Sequence, residues 1–231
     1  MIIQNLFIFI ISFFTILLGL VILKKNHKNS SNFWYFWMCF FGGMWGVMKV
    51  IQFSVLDVYW HDLLISRFVM IFGTLAPLAY LMLAYNFVYK EKSLSKSAVI
   101  FMSLITTVMS FLYLLGILSY ADISIVSGVL HRDIVLFDFS IFSIYFFIYV
   151  IIGLIILFRK YVVADGVNKS QVRYLMIGTA LTFLTTGVVS VIFLLFNNFK
   201  YDWLGAIFLS IHLLVIGYFV FIKPKVTFSG F

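Results

Sequence analysis

The chain has 231 residues, of which 64% are hydrophobic and 10% charged, against about half and about a quarter in an ordinary soluble domain. A chain of this length has too little interior to hide so much apolar surface, so a soluble globular domain is excluded and lipid must solvate much of it. The net charge of +8 sits in short basic loops between apolar runs, which points to orientation in a bilayer and away from nucleic acid.

A helix needs about 20 apolar residues to cross about 30 Å of hydrocarbon. Seven stretches meet this requirement: Ile2 to Leu23, Phe33 to Phe53, Phe68 to Tyr89, Ala98 to Leu118, Phe139 to Phe158, Tyr174 to Phe196 and Trp203 to Ile222. The first is too long for a signal peptide and carries Lys24 and Lys25 after it, not before it. The second holds the only charge within a span, Lys49. None alternates in polarity as barrel strands do. The predicted fold is therefore all-α, an integral membrane bundle of seven transmembrane helices over residues 1–222, with a short tail at 223–231 that Pro224 opens.

Basic residues set the orientation. One set of loops holds Lys24, Lys25, Lys28, Lys90, Lys92, Lys96, Arg159, Lys160, Lys169, Arg173, Lys223 and Lys225, and the other holds Arg132 and Lys200. The rich side is expected in the cytoplasm, which puts the N-terminus outside and the C-terminus inside, in a multi-pass plasma-membrane protein. Ser119 to Asp138 is the longest expected outer loop and Arg159 to Arg173 the longest inner one.

Catalytic and metal patterns are weak. His131-Arg132-Asp133 spells the H-R-D of a kinase loop, but position 138 is Asp138 where that motif needs Asn. The four histidines lack ligand spacing, and Cys39 is the single cysteine. The last span contains no lysine for a retinal Schiff base. No enzyme, metal or cofactor is expected.

Lys49 is the sharpest single feature, because a charge inside a membrane helix finds a partner or a watery cavity. It reads either as a snorkelling or ion-paired structural lysine or as part of an outward-facing polar cup with Asp57, Trp60, Asp62, Arg67, His131 and Arg132. Asp57, Asp62 and Asp138 are its candidate partners. Gly42 and Gly46 form a G-x-x-x-G step, read as packing inside the bundle with a homodimer contact as the alternative. Asn86 and His212 are expected to bond between helices.

Over nearly all of its length, and most closely from the fifth helix to the end, the chain resembles the seven-helix N-terminal sensory region of histidine kinases. The resemblance rests on Arg159-Lys160, on Gln171-Val172-Arg173-Tyr174-Leu175-Met176-Ile177-Gly178, on Tyr201-Asp202-Trp203-Leu204-Gly205 and on Ile216-Gly217-Tyr218 running to Lys223, with Trp45 and Arg67 upstream. It implies a small-molecule or lipid signal, an inner-loop signature of Gln171 and Arg173 that positions the sixth helix, and a cytoplasmic kinase or other output protein as partner. No phosphoacceptor helix or ATP-binding domain follows the seventh helix, so the expected role is a sensory input module without its own output. The alternatives are a small transporter, for which Pro77 and Gly73 would mark a broken helix, and a structural assembly partner.

Overall fold

The computed structural model describes residues 2–54, 59–88, 95–119, 121–126, 129–192, 196 and 202–223. Its helices are α1 (Ile2–Lys25), α2 (Ser30–Ser54), α3 (Tyr59–Asn86), α4 (Lys96–Leu115), α5 (Leu136–Val163), α6 (Gly166–Gly187) and α7 (Asp202–Ile216). Both α6 and α7 run on into π-helical turns, Val188–Ile192 and Gly217–Ile222.

Polar side chains set several of the helix ends. Asn29 caps α2 through Oδ1, which accepts from the Ser31 amide at 2.8 Å. Asn32 Nδ2 donates to Ile22 O at 3.0 Å and folds α2 back onto α1. Ser95 caps α4 from the Ala98 amide, and Gly116 ends α4 in the left-handed conformation at φ 71°.

Five of the helices enclose a centre. α2 packs on α3, α3 on α5, α5 on α6, α6 on α7, and α7 back on α2. α1 lies outside this ring against α2 and α7, and α4 lies outside it against α3. The two outer helices present the apolar faces with least cover, including Phe13, Phe14, Ile100 and Phe101. Apolar side chains on the outside of a bundle match a hydrocarbon solvent, which gains nothing by their burial.

Among the described residues five helices are long and apolar enough to span a bilayer: α1, α3 from Asp62, α4, α5, and α7 with its π turn. The chain thus has the build of a multi-pass membrane protein. α2 and α6 are 25 and 22 residues long but are not among these five. Much of their polarity points inward, at Lys49 and Gln52 in α2 and at Thr179 and Thr186 in α6, all buried.

Helices outrun their apolar cores, which moves two sequence-based boundaries. α3 begins at Tyr59, so Arg67 lies two turns inside it and not at its tip. α6 begins at Gly166, so Lys169, Gln171 and Arg173 are helical, and only residues 164–165 separate α5 from α6. Backbone hydrogen bonding does not stop where charged residues begin, and apolarity alone therefore underestimates length.

The expected outer loop after α4 contains a two-stranded antiparallel hairpin, β1 (Ala121–Val126) and β2 (Val129–Ile134), in register from Ala121↔Ile134 to Val126↔Val129. At its root Asp138 Oδ2 accepts from the Ser119 amide at 2.9 Å. Asp138 also sits in the first turn of α5, where a carboxylate suits the helix dipole.

Candidate functional site

Lys49 and Asp62 lie in the seam between α2 and α3, 2% and 0% exposed. Between their levels Gln52 Nε2 donates to Ser66 Oγ at 2.8 Å, with Gln52 one turn from Lys49 and Ser66 one turn from Asp62. The Lys49 ammonium stands 5.8 Å from the centre of the Trp45 ring, and both Lys49 and Asp62 are engaged. This is a closed polar layer between helices, and the snorkelling expected of Lys49 does not describe a side chain so enclosed.

Of the other outer candidates, Arg67 is directed away from this layer. Arg67 turns toward α4, where Nη1 donates to Leu114 O at 3.3 Å and the guanidinium fills the space beside Gly116. Arg67 thereby satisfies the carbonyl end of α4. His131 and Arg132 belong to β2, opposite Ser124 and Ile123, and Trp60 belongs to the first turn of α3. The side chains of these three and the whole of Asp57 lie outside the described residues.

Inside the ring is a cavity of about 120 Å³ that the sequence reading did not anticipate. All five ring helices contribute to its wall, with Trp45, Met70, Phe142, Phe183 and Leu213 among the apolar side chains. No acidic, basic or histidine side chain lines it. Its polar edge is a row of hydroxyls on α6 and the following π turn: Thr179, Thr182, Thr186 and Ser190. The signal in the sequence is their spacing of three, four and four residues, which places them on one helix face. Thr179 and Thr182 donate to Leu175 O and Gly178 O at 2.8 and 2.7 Å, and Thr186 to Gly205 O at 3.3 Å. Ser190 Oγ is buried without a hydrogen-bond partner among the described residues.

The cavity wall includes Leu209, Leu213 and Ile216 of α7, and the turn that follows is clasped by three other helices. Tyr35 OH of α2 donates to Leu213 O, Gln171 Nε2 of α6 to Val220 O at 2.6 Å, and Lys25 Nζ of α1 to Phe221 O at 3.1 Å. Gln171 thus ties α6 to that last turn. Arg173 is exposed, 6.0 Å from the centre of its neighbour Tyr174's ring. A second clasp holds the end of α3, where the buried Lys160 Nζ donates to Tyr85 O and Phe87 O, each at 2.8 Å.

Buried hydroxyls also join α3, α4 and α5. Tyr145 OH donates to Thr74 O at 2.7 Å and pairs with Thr106 Oγ1 at 2.8 Å, while Tyr149 OH donates to Met102 O at 2.6 Å. Thr74 lies three residues before Pro77, the proline inside α3. Asn86 and His212 differ from expectation: Asn86 Nδ2 donates to Met82 O at 2.8 Å, and His212 Nδ1 pairs with Phe208 O at 2.7 Å, each within its own helix. A side chain one turn from a carbonyl reaches it more readily than a neighbouring helix.

The glycine step in α2 packs inside the bundle. A Cβ on Gly42 would meet Leu213 and Leu209 of α7 at 3.1 and 3.2 Å, and one on Gly43 would meet Ile16 Cγ1 at 2.5 Å. Among the described residues no cluster of three or more His, Cys, Asp or Glu is placed to hold a metal ion.

No family model matches the chain, and no curated protein matches it in sequence. Fold and cavity together define a multi-pass helical membrane bundle with an interior site that is uncharged among the described residues.

Proposed function

We propose that this chain is a sensory input module of the plasma membrane, and that the cavity is where its signal binds. In this reading the chain crosses seven times, α2 and α6 included, with its N-terminus outside and its C-terminus in the cytoplasm. It performs no catalysis. It hands its signal to a separate cytoplasmic output protein, as its resemblance to the sensory region of histidine kinases implies.

The supporting observation is that α7 serves two places at once. Leu209, Leu213 and Ile216 line the cavity; Tyr35 holds Leu213 O, and Lys25 and Gln171 hold Phe221 O and Val220 O of the π turn continuous with it. A molecule that fits the cavity better in one arrangement of α7 shifts the population of that arrangement. The clasp is the element that changes, because π turns leave carbonyls for side chains to take up. A small transporter is the second reading, favoured by Gly73 and Pro77 on the cavity wall.

Cys39 is buried, so a Lys223→Cys, Cys39→Ser variant carries one accessible thiol for a fluorescent label. Titration of that protein in nanodiscs with small apolar compounds should shift the label's emission saturably. Ligands that bind without moving the label, and that cross liposomes carrying the protein, would replace the sensory reading with transport.

A further inference from the structure

The cavity wall offers little to a polar molecule. No acidic, basic or histidine side chain lies on it, so a charged group brought inside would lose its hydration without compensation. Thr179, Thr182 and Thr186 each donate their hydroxyl proton to a backbone carbonyl, which leaves those oxygens able only to accept. Two further hydroxyls are sealed, with less than 1 Å² of surface open. Ser190 Oγ packs against Gly205 of α7, and Tyr80 OH packs against Gly153 of α5.

Trp45 is the exception. Its indole N–H can only donate. A Cβ on Gly73 would stand 3.8 Å from Trp45 Nε1 and 3.5 Å from the Phe142 ring, and Trp45, Gly73 and Phe142 all line the cavity. The N–H therefore lies beside the space that glycine at position 73 leaves empty. Among the described residues it has no hydrogen-bond partner, and it is not sealed as Ser190 Oγ and Tyr80 OH are. An indole N–H in an apolar interior normally finds a partner, so this one favours a ligand that brings an acceptor.

The rest of the wall narrows the kind of acceptor. A carboxylate or phosphate is excluded by its charge. A water needs two to four polar partners, and a hydroxyl brings a proton of its own. Those protons would have to reach the threonine oxygens on α6, which is not a neighbour of α2 in the ring. A carbonyl brings a strong acceptor and no proton. We infer that the cavity binds a neutral apolar carbonyl compound, a ketone or an ester, whose oxygen accepts from Trp45 Nε1. The inference rests on the cavity being the signal site, and it names the signal's chemistry.

Fluorenone and fluorene are the probes, because they differ only in a carbonyl against a methylene. Saturable binding of each, tritiated, is measured on the full chain in nanodiscs of diether phosphatidylcholine, a lipid without carbonyls. After correction for partition into empty nanodiscs, fluorenone should bind about fivefold more tightly than fluorene, as for one hydrogen bond. Trp45→Phe should abolish that preference and leave fluorene binding in place. The carbon-13 carbonyl stretch of bound fluorenone should lie below its position in empty nanodiscs, and should return to it in Trp45→Phe. Should that variant lose fluorene as well, benzothienylalanine in place of Trp45 carries the same comparison, since it keeps the two fused rings and replaces N–H by sulfur. Diester phosphatidylcholine then separates the sources. Unchanged fluorenone affinity there assigns a free carbonyl compound, and weakened affinity assigns a bilayer ester that competes for the site.

Equal affinity for the two probes, no saturable binding of either, or a preference or lowered stretch that survives both replacements of Trp45 would overturn the inference. These readouts are of occupancy and stand apart from the response of a label at residue 223. Fluorenone that binds at Trp45 without moving that label would keep the carbonyl site and remove the sensory reading.

Discussion

Gln171 of α6 and Val220 of the last turn are joined by a hydrogen bond of 2.6 Å from the Gln171 amide to the Val220 carbonyl. A carbonyl near the end of the last helical turn is thereby satisfied by a neighbouring helix. Gln171→Ala removes the donor and should cost about 1 kcal/mol. A nitroxide on cysteine at 223, in the Cys39→Ser background, should become more mobile in the same variant. Unchanged spectra would mean that Tyr35 and Lys25 hold the turn without Gln171.

Lys160 offers a sharper test of the other clasp. Its ammonium is fully buried and bonded to Tyr85 O and Phe87 O. Lys160→Met keeps the volume and leaves two carbonyls unpaired, so a loss of about 2 kcal/mol is expected. Its exposed neighbour provides the control: Arg159→Gln should be neutral within about 0.5 kcal/mol. Thermal melts of the two variants in one detergent decide the matter, and equal melting points would remove the clasp.

The same lysine marks where sequence reading stops. In the sequence Lys160 is one of a run of basic residues, and nothing distinguishes it from Arg159. Which of them turns inward is decided by the helix face that packs on α3. Five of the expected spans were legible because lipid demands long apolar runs, and Gln171 was singled out for the sixth helix, not for the bond to Val220 that the structure gives it. The cavity was not, because it is formed by residues from five helices far apart in sequence, each reading as ordinary core. The hairpin left one faint trace, Ser127-Gly128 between two short runs with alternating Ile123 and Ile125, a turn signal easily lost in an expected loop.

The glycines of α2 differ in how much space they have, which predicts an order. A Cβ on Gly43 would meet the Ser12 backbone oxygen at 2.9 Å as well as Ile16, while Gly42 faces only leucine methyl and methine carbons at 3.1 Å and beyond. Backbone yields less than a leucine tip. Gly43→Ala should therefore cost about 1–3 kcal/mol and Gly42→Ala distinctly less. Size-exclusion chromatography of both variants addresses the alternative. If Gly42→Ala changes the oligomeric state without lowering the melting point, the step serves a dimer.

Tyr145, Thr106 and Thr74 connect three helices through one hydroxyl, so their energies should couple. Tyr145→Phe removes the donor to Thr74 O and the partner of Thr106. Hydrogen bonds between membrane helices average about 0.6 kcal/mol by double-mutant cycle. A cycle of Tyr145→Phe with Thr106→Val should give a coupling of that order. Additive losses would mean that each hydroxyl is satisfied within its own helix.

Orientation and the crossing of α2 can be tested together, because that helix spends much of its polarity on the interior. If it crosses with its neighbours, Lys28, Lys96 and Lys169 share one face of the membrane and Asp133 of the hairpin lies on the other. Single cysteines at these four positions in the Cys39→Ser background should react with a membrane-impermeant thiol reagent according to side. Asp133→Cys should label in intact cells, and the three lysine replacements only after permeabilisation. Reversal of all four would invert the orientation and leave the crossings of α2 to α5 as they are. Labelling of Lys28→Cys and Lys96→Cys from opposite sides would mean that only one of α2 and α3 crosses, since two crossings return the chain to the side it left.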